Sequence, residues 1–415
     1  MGAIGSLFDI FAILYIFRSV QLGLTIWRAW PTVRQAPLTA HKKQLAEQAS
    51  FFIAVPISVL VHEFCHALAV WLFNGEVVEF GYRGFWGYVV PAGDFTAGQE
   101  WFIALAGTLG SLAFGLGTWL LFRQNKIPAL RYFGLRAFRF QVYFSLIYYP
   151  VFTLLGFAGD WRIIYGFALT PILSAVTAVF HITFLILFYY GDRLGWFEVT
   201  AHETIATADQ FNALEHAAIA HPENSQLQLQ YIDGLRRGGA KRKARHKLEL
   251  FLQQQPHSSA GHLQMAALLS DSKREVPKKA YIAAEEALNL GLSEPVQRAF
   301  AHQLIGRYFL DMGSAEQAVT HFSDAITAVA FPNQNPDYLT PQQAAQLAQF
   351  HYLRNQAYRR QQKFNHAFDD IQQAIHYAQL AGDQQAEARY QAEIKVLENH
   401  AGQRFDYQTI KTPNE

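Results

Sequence analysis

Residues 51–73 read FFIAVPISVLVHEFCHALAVWLF, an apolar stretch in which Glu63 is the one charged residue apart from the two histidines. About 20 apolar residues are enough for a helix to cross a bilayer. An ionisable residue at membrane depth costs about 2.5 to 3.5 kcal/mol on insertion scales, so a cluster of three polar groups requires a compensating interaction. The stretch therefore predicts a membrane-spanning helix, and a shared metal ion is the obvious reason for its polar cluster.

The spacing His62-Glu63-Phe64-Cys65-His66 is that of a helical zinc site. Two histidines four residues apart lie on one face of a helix and can both ligate zinc, and the glutamate between them can act as general base towards water. Catalytic zinc normally takes three protein ligands and keeps one position open. The sequence predicts one Zn²⁺ per chain, held by His62, His66 and a third residue, with Glu63 as the catalytic residue.

Asp160 is the predicted third ligand. It lies in FTLLGFAGDW, residues 152–161, where two glycines interrupt an otherwise apolar run. A carboxylate at membrane depth needs a partner, and irregular backbone is tolerated there when it is buried in protein or lines a wet cavity. Two alternatives stay open: Asp160 ends a helix at the membrane surface and pairs with Arg162, or His181 is the ligand instead.

The 415-residue chain consists of two unlike halves. Residues 1–198 are dense in Phe, Leu, Ile, Trp and Tyr, whereas residues 199–415 are rich in Gln, Ala, His and charged residues. This contrast predicts a membrane domain followed by a soluble domain. The net charge of +1 shows no basic excess and argues against a nucleic-acid partner. The single cysteine, Cys65, excludes an intramolecular disulfide and a cysteine-cluster metal site.

Apolar runs predict a polytopic bundle of transmembrane helices in the first half. They cover residues 5–27, 51–73, 101–122, 141–168 and 171–190. The first run contains Asp9 and Arg18, and an amphipathic helix in the membrane interface is its alternative. Residues 76–95, EVVEFGYRGFWGYVVPAGDF, combine Val, Tyr, Phe and Trp with frequent Gly, which predicts a short β-hairpin packed close to the metal-binding helix.

Basic residues are distributed unevenly among the loops of this half. Residues 28–48 carry four and residues 123–139 carry five, whereas residues 75–100 carry only Arg83. Lys and Arg accumulate on the cytoplasmic side of short loops. Five spans then place the C-terminal domain in the cytoplasm, and we expect a multi-pass protein integral to the plasma or inner membrane, with the lipid bilayer as a partner.

The second half shows paired amphipathic helices with a repeating pattern, which predicts a soluble α-solenoid of helix-turn-helix repeats. Small and aromatic residues within residues 301–328 recur at the spacing of the 34-residue tetratricopeptide unit: Gly306, Phe309, Gly313, Ala318, Phe322 and Ala325. Further units are indicated over residues 222–256 and 355–374, the latter after an insertion near residues 331–345. About four stacked units form a groove of the kind that binds a protein or peptide partner.

Two polar features of the soluble half complete the pattern. Lys241-Arg242-Lys243-Ala244-Arg245 is either a solvated helix face or a contact with anionic lipid. The histidines of this half show no ligand spacing, and no metal is predicted for them: His216, His257, His262, His302 and His321.

Over roughly residues 45–190 the pattern resembles the site-2 protease family of intramembrane zinc metalloproteases. His62, Glu63 and His66 match the family's HExxH motif, and FWGYVVPAGD at 85–94 resembles the glycine-bearing strand that follows it. Ala104-Leu105-Ala106-Gly107 resembles the family's small-residue motif, and Asp160 corresponds to the Asp of its second metal motif. Thr108 stands where that small-residue motif has proline, and FTLLGFAGDW lacks the Asn and prolines that often precede the family's Asp-Gly.

The resemblance implies hydrolysis of a peptide bond in or near a transmembrane helix of a membrane-protein substrate. It implies zinc held by His62, His66 and Asp160, with Glu63 as general base, while the repeat domain recruits or regulates partners. The alternative is a proteolytically inactive, membrane-anchored scaffold that acts through its repeats. A transporter is disfavoured because the first half shows no internal duplication.

Overall fold

The structure is a computed structural model that describes residues 2–156, 159–330 and 339–394, with side chains from residue 10 onwards. Its described part is mainly α-helical with one antiparallel β-hairpin, as the sequence predicts. Asp9's side chain, most of the predicted insertion at 331–345 and the end of the predicted soluble domain lie outside the described residues. The chain divides into two compact units, Met1–His246 and Lys247–Glu415, so residues 199–246 belong to the first unit.

The first unit contains the predicted metal ligands. Its elements begin with α1 Gly2–Val33, α2 Ala40–Phe52, α3 Ala54–Leu72, β1 Glu76–Tyr82, β2 Gly87–Ala92 and α4 Ala97–Phe122. They continue with α5 Pro128–Tyr143, the π-helical turn Phe144–Tyr148, α6 Tyr149–Leu154, α7 Trp161–Ile164, α8 Pro171–Arg193, α9 Ile205–Ala220 and α10 Ser225–Arg237. The next helix, α11 Lys241–Gln254, contains the boundary between the two units.

Within the described ranges, four helical segments are long and apolar enough to cross a membrane. They are Ile10–Val33, Ala40–Leu72, Ala97–Phe122 and Pro171–Arg193. These segments overlap the runs predicted at 5–27, 51–73, 101–122 and 171–190. Length and composition therefore support a membrane protein with transmembrane helices.

The run predicted as a span over residues 141–168 is not one continuous helix in the described residues. The helix passes from α5 through the π-helical turn into α6, ends at Leu154, and resumes only at Trp161 in α7. Pro150 has no backbone N–H to donate to the helix, and Gly156 has a φ of 102°, which favours glycine. An apolar run indicates apolar surroundings but not helical continuity, and the fifth span behind the predicted orientation stays a prediction.

Arg18 of α1 is satisfied by polar and aromatic partners although it lies in an apolar helix. Its guanidinium donates to Gln21 at 2.7 Å and to Gln48 at 3.3 Å, and it lies 5.8 Å from the ring centre of Phe52. These contacts lower the cost of a charge at membrane depth. The charge of Arg18 is thus compatible with a spanning α1.

The two basic loops of the first unit lie at the same end of it. Tyr132 of α5 donates a hydrogen bond to Glu47 of α2, and Arg136 Nε lies 3.6 Å from the same carboxylate. Tyr132 is also buried in an apolar cluster with Val33 and Leu38. Residues 28–48 and 123–139 are therefore together, as the positive-inside argument requires.

The predicted β-hairpin is present and packs on the helix that carries the histidine motif. β1 and β2 pair antiparallel with Glu76 opposite Ala92 and Tyr82 opposite Gly87. The Tyr82 hydroxyl donates to the carbonyl of Pro56 in α3 at 2.9 Å. The hairpin is therefore fixed beside α3.

The second unit is a series of helices in which chain neighbours pack on each other. Its elements are α12 Ser259–Ser270, α13 Lys278–Asn289, α14 Pro295–Asp311, α15 Ala315–Val329, α16 Pro341–Arg360 and α17 Phe364–Ala381. The best repeat unit of the sequence corresponds to α14 and α15, where Gly306 allows close approach: a Cβ there would lie 2.6 Å from Phe322 Cε1. The paired helices are confirmed, and the solenoid stays a prediction.

A buried ion pair joins α16 to α17. Asp370 is 3% exposed, and its carboxylate accepts two hydrogen bonds from Arg354, at 2.7 and 2.8 Å, and one from His351 Nδ1 at 2.8 Å. Arg354 also donates to Ser323 of α15 at 2.9 Å. Burial alone raises the pKa of Asp370, but the hydrogen bonds from Arg354 and His351 outweigh it and hold that pKa below its usual value.

We expect Asp370→Ala to destabilise the helix pair by about 3 to 5 kcal/mol, because it leaves the Arg354 charge buried without its partner. The pKa of Asp370 is lower in the folded than in the unfolded chain, so its contribution is complete above about pH 4 and is lost as pH falls through the folded value. Amide hydrogen exchange of α16 and α17 in the full chain measures both effects. Asp369→Ala, at the exposed neighbouring carboxylate, is the control; equal protection in the two variants contradicts the assignment.

Candidate metal centre

The histidine motif lies on α3 where that helix packs closely against α4. Small residues of α4 make the approach possible: a Cβ at Gly110 would lie 2.5 Å from Cys65 Sγ, inside the motif. Small residues at such crossings allow the backbones of two membrane helices to come together. Cys65 is therefore a packing residue, and α4 lies directly beside His62 and His66.

The structure brings together the three residues predicted as ligands. Asp160 Oδ2 lies 3.1 Å from His62 Nε2 and 3.2 Å from His66 Nε2, and the three side chains are 20% exposed or less. Donor atoms about 2.0 to 2.1 Å from a tetrahedral zinc ion are about 3.3 Å from one another. The two distances from Asp160 to the histidines are close to that spacing.

Gly107 of α4 provides a direct test of whether an ion fits. A Cβ at this position would lie 2.3 Å from His66 Nε2 and 2.6 Å from His62 Nε2. Any other residue would place its side chain against both donor nitrogens. The glycine leaves that space open, so the residues present have room for a metal ion.

Contacts from α4 orient both imidazole rings. His66 Nδ1 is 2.6 Å from the carbonyl oxygen of Ile103, which can only accept, so Nδ1 carries the proton and Nε2 keeps its lone pair in the neutral ring. His62 Nδ1 is 3.2 Å from Ser111 Oγ. Metal-binding histidines usually have such a partner on the second nitrogen, which fixes the ring and its tautomer.

Asp160 is held by Tyr149, a residue that the sequence analysis missed. The Tyr149 hydroxyl donates to Asp160 Oδ2 at 2.9 Å and accepts from the backbone N–H of Asp160 at 3.1 Å. Its ring lies edge-on to that of His62, with centres 5.7 Å apart. Arg162 donates to the carbonyl of Gly156 at 2.9 Å, and within the described part of the chain it forms no ion pair with Asp160. The π-helical turn before Tyr149 is a local signal, since such turns are frequent at functional sites.

His181, the rival ligand, has both ring nitrogens occupied elsewhere. Its Nε2 donates to the carbonyl of Leu146 at 2.7 Å, and its Nδ1 accepts from the hydroxyl of Tyr165 at 2.5 Å. Leu146 is four residues before Pro150, which has no N–H to offer that carbonyl. His181 therefore supports the broken helix that leads to Asp160, and Asp160 is the residue at the site.

Glu63 is buried against the first residue of β2. It is 5% exposed, and a Cβ at Gly87 would lie 2.5 Å from Glu63 Cγ and 2.9 Å from Oε1. A side chain at position 87 would displace the carboxylate. The candidate general base, the candidate metal ligands and the hairpin thus meet at one place.

Comparisons of the chain with protein-family models, with curated proteins and with solved structures find no match. What the geometry defines by itself is a cluster of two histidines and two carboxylates buried beside apolar helices. His62, His66 and Asp160 of this cluster could hold a metal ion.

We expect Tyr149→Phe to weaken zinc binding by about 10- to 100-fold, because the Asp160 carboxylate loses its hydrogen-bond donor and the loop loses its anchor. Competition with a chromophoric chelator measures the affinity. Tyr148→Phe, at the neighbouring half-exposed tyrosine, is the control. Equal affinities for the two variants contradict the positioning role of Tyr149.

Proposed function

We propose that this protein is an intramembrane zinc metalloprotease of the site-2 protease type, which hydrolyses a peptide bond in or near a transmembrane helix of a membrane-protein substrate. The observation that supports this proposal is the meeting of His62, His66, Asp160 and Glu63 beside a helix apolar enough to cross a membrane. A metal that served structure alone would need no buried carboxylate besides its ligands.

Each side chain has a chemical task in this proposal. His62 and His66 supply neutral nitrogens and Asp160 supplies a carboxylate oxygen, which leaves one position free. Zinc, when bound, polarises a carbonyl oxygen and lowers the pKa of a coordinated water to about 7. Glu63 takes a proton from the attacking water and delivers it to the leaving amine. Its burial keeps the carboxylate out of bulk solvent.

The hairpin gives the substrate a place to bind as an extended strand. β1 and β2 are the only strands of their sheet in the described chain, so each has one unpaired edge. A peptide that has unwound from its helix can pair with such an edge through its backbone. Because β2 begins at Gly87 against Glu63, a segment paired with β2 would pass close to the candidate base.

The soluble half recruits or regulates partners in this proposal. α14 and α15 match the tetratricopeptide spacing, and chain-neighbouring helices of the second unit pack together as such repeats do. Exposed residues of the resulting groove bind a protein or peptide. We propose that this half is cytoplasmic and that the protein is integral to the plasma or inner membrane.

The central test compares Glu63→Gln with the unchanged protein and with the His62→Ala, His66→Ala double variant. We expect Glu63→Gln to keep its zinc and to lose at least about 100-fold in cleavage, because the general base is absent. Membrane-protein fragments are compared in cells producing each form, and cleavage is then measured with the purified substrate. Glu100→Gln, an exposed carboxylate at the start of α4, is the control.

The double variant should hold one zinc ion fewer per chain than the unchanged protein. An equal zinc content in these two forms rejects the metal site. Full cleavage by Glu63→Gln rejects the proposed chemistry, and a protein with neither zinc nor cleavage favours the scaffold alternative.

Three glycine-to-alanine substitutions separate metal binding from substrate handling. We expect Gly107→Ala to lose zinc and cleavage, because its methyl group meets both donor nitrogens. Gly87→Ala should keep zinc and lose cleavage, because its methyl group displaces Glu63. Gly117→Ala, on α4 with nothing within 4 Å of the added carbon, should keep both. Zinc content and cleavage of the purified variants decide between these outcomes; full zinc in Gly107→Ala would contradict the placement of the ion.

A further inference from the structure

A second cluster of potential metal ligands lies in the soluble half, between α14 and α15. His302 comes from α14, and His321 and Asp324 come from α15. His302 Nδ1 is 3.1 Å from His321 Nδ1 and 3.7 Å from Asp324 Oδ2. The three donor atoms lie within 4.8 Å of one another.

The helix-turn-helix geometry explains why these residues meet. The two helices are joined by residues 312–314, and His302 on the first faces His321 on the second across the pair. His321 and Asp324 are three residues apart and lie on one helix face. The two histidines are 19 positions apart, which hides the cluster from a search for ligand spacing along the sequence.

We propose that His302, His321 and Asp324 bind one divalent transition-metal ion of the zinc class. Two imidazoles and one carboxylate suit Zn²⁺ and the neighbouring late first-row ions, and they suit Mg²⁺ poorly. The separations of 3.1 and 3.7 Å bracket the roughly 3.3 Å expected between donor atoms on a tetrahedral zinc ion. Only small side-chain movements are needed to complete the ligand geometry.

The surroundings of the cluster favour an ion over a simple hydrogen bond. Two Nδ1 atoms that face each other can share one proton, whereas an ion between them takes both lone pairs and the carboxylate as well. The ring of Phe309 is stacked on His321, with centres 5.6 Å apart and planes at 14°, and restrains that ligand. Asp324 is 50% exposed, which gives an ion a path from solvent.

Charged groups near the cluster do not oppose this binding strongly. The positive charge of Arg298 disfavours a second positive charge at His302. The Arg298 guanidinium is, however, held by hydrogen bonds that it donates to the carbonyls of Leu292 and Ser293, at 2.9 and 2.8 Å. The negative charge of Glu285 in α13 favours a positive charge at His321. An ion at this cluster would cross-link α14 to α15 and stabilise the helix pair as its concentration rises.

Zinc stoichiometry of the full-length protein in detergent tests the proposal without any substrate. Chelator-treated protein is titrated with Zn²⁺, and bound metal is counted per chain. We expect two equivalents for the unchanged protein, one for His62→Ala with His66→Ala, one for His302→Ala with His321→Ala, and none for the four substitutions together. The remaining site in the His62→Ala, His66→Ala form should also give the visible spectrum of tetrahedral Co²⁺.

Asp324→Asn, at an exposed position that should not disturb folding, is expected to weaken the second equivalent at least tenfold. His376→Ala, at an exposed histidine of α17, is the control and should leave the stoichiometry unchanged. No zinc in the His62→Ala, His66→Ala form overturns the second site. A second zinc equivalent retained when His302 and His321 are both replaced overturns it as well. The proposed function fails separately, if replacing His62 and His66 removes no zinc.

Discussion

The close contact between α3 and α4 is the constraint on which the candidate metal centre depends. Gly110 makes room for Cys65, and Gly107 leaves open the space beside the two donor nitrogens. The same contact brings the Ile103 carbonyl to His66 and fixes its tautomer. In lipid, where apolar side chains gain little by leaving the solvent, such packing of small residues supplies much of the association between helices. One glycine-lined crossing thus serves both stability and the orientation of ligands.

The second constraint is that polar groups at membrane depth must find partners inside the protein. Pro150 leaves the Leu146 carbonyl without its helical donor, and His181 supplies one at 2.7 Å. Tyr149, one residue before that proline, holds Asp160 by two hydrogen bonds. Residues 141–168 do not form one continuous helix, and this interruption allows the Asp160 carboxylate to reach the histidines of α3.

The sequence predicted those parts of the structure that are encoded locally. His62, Glu63 and His66 share a helix, so their spacing sufficed, and the Gly-rich aromatic run of residues 76–95 indicated the hairpin. Asp160 could be predicted as a ligand only because a carboxylate in an apolar run requires a partner. The partners of Tyr149 and His181, and the meeting of His302 with His321, depend on how separate helices pack, which no local pattern in a single sequence specifies.

If each of the two clusters binds one divalent ion as proposed, the charge balance of each agrees with its surroundings. With neutral imidazoles, ionised Asp160 and Glu63 give the first cluster two negative charges, and one divalent cation neutralises them. A buried site with no net charge avoids most of the desolvation cost that isolated carboxylates would carry. His302, His321 and Asp324 would keep one positive charge after binding the same ion. That remaining charge requires water, and the half-exposed Asp324 lies where water can reach it.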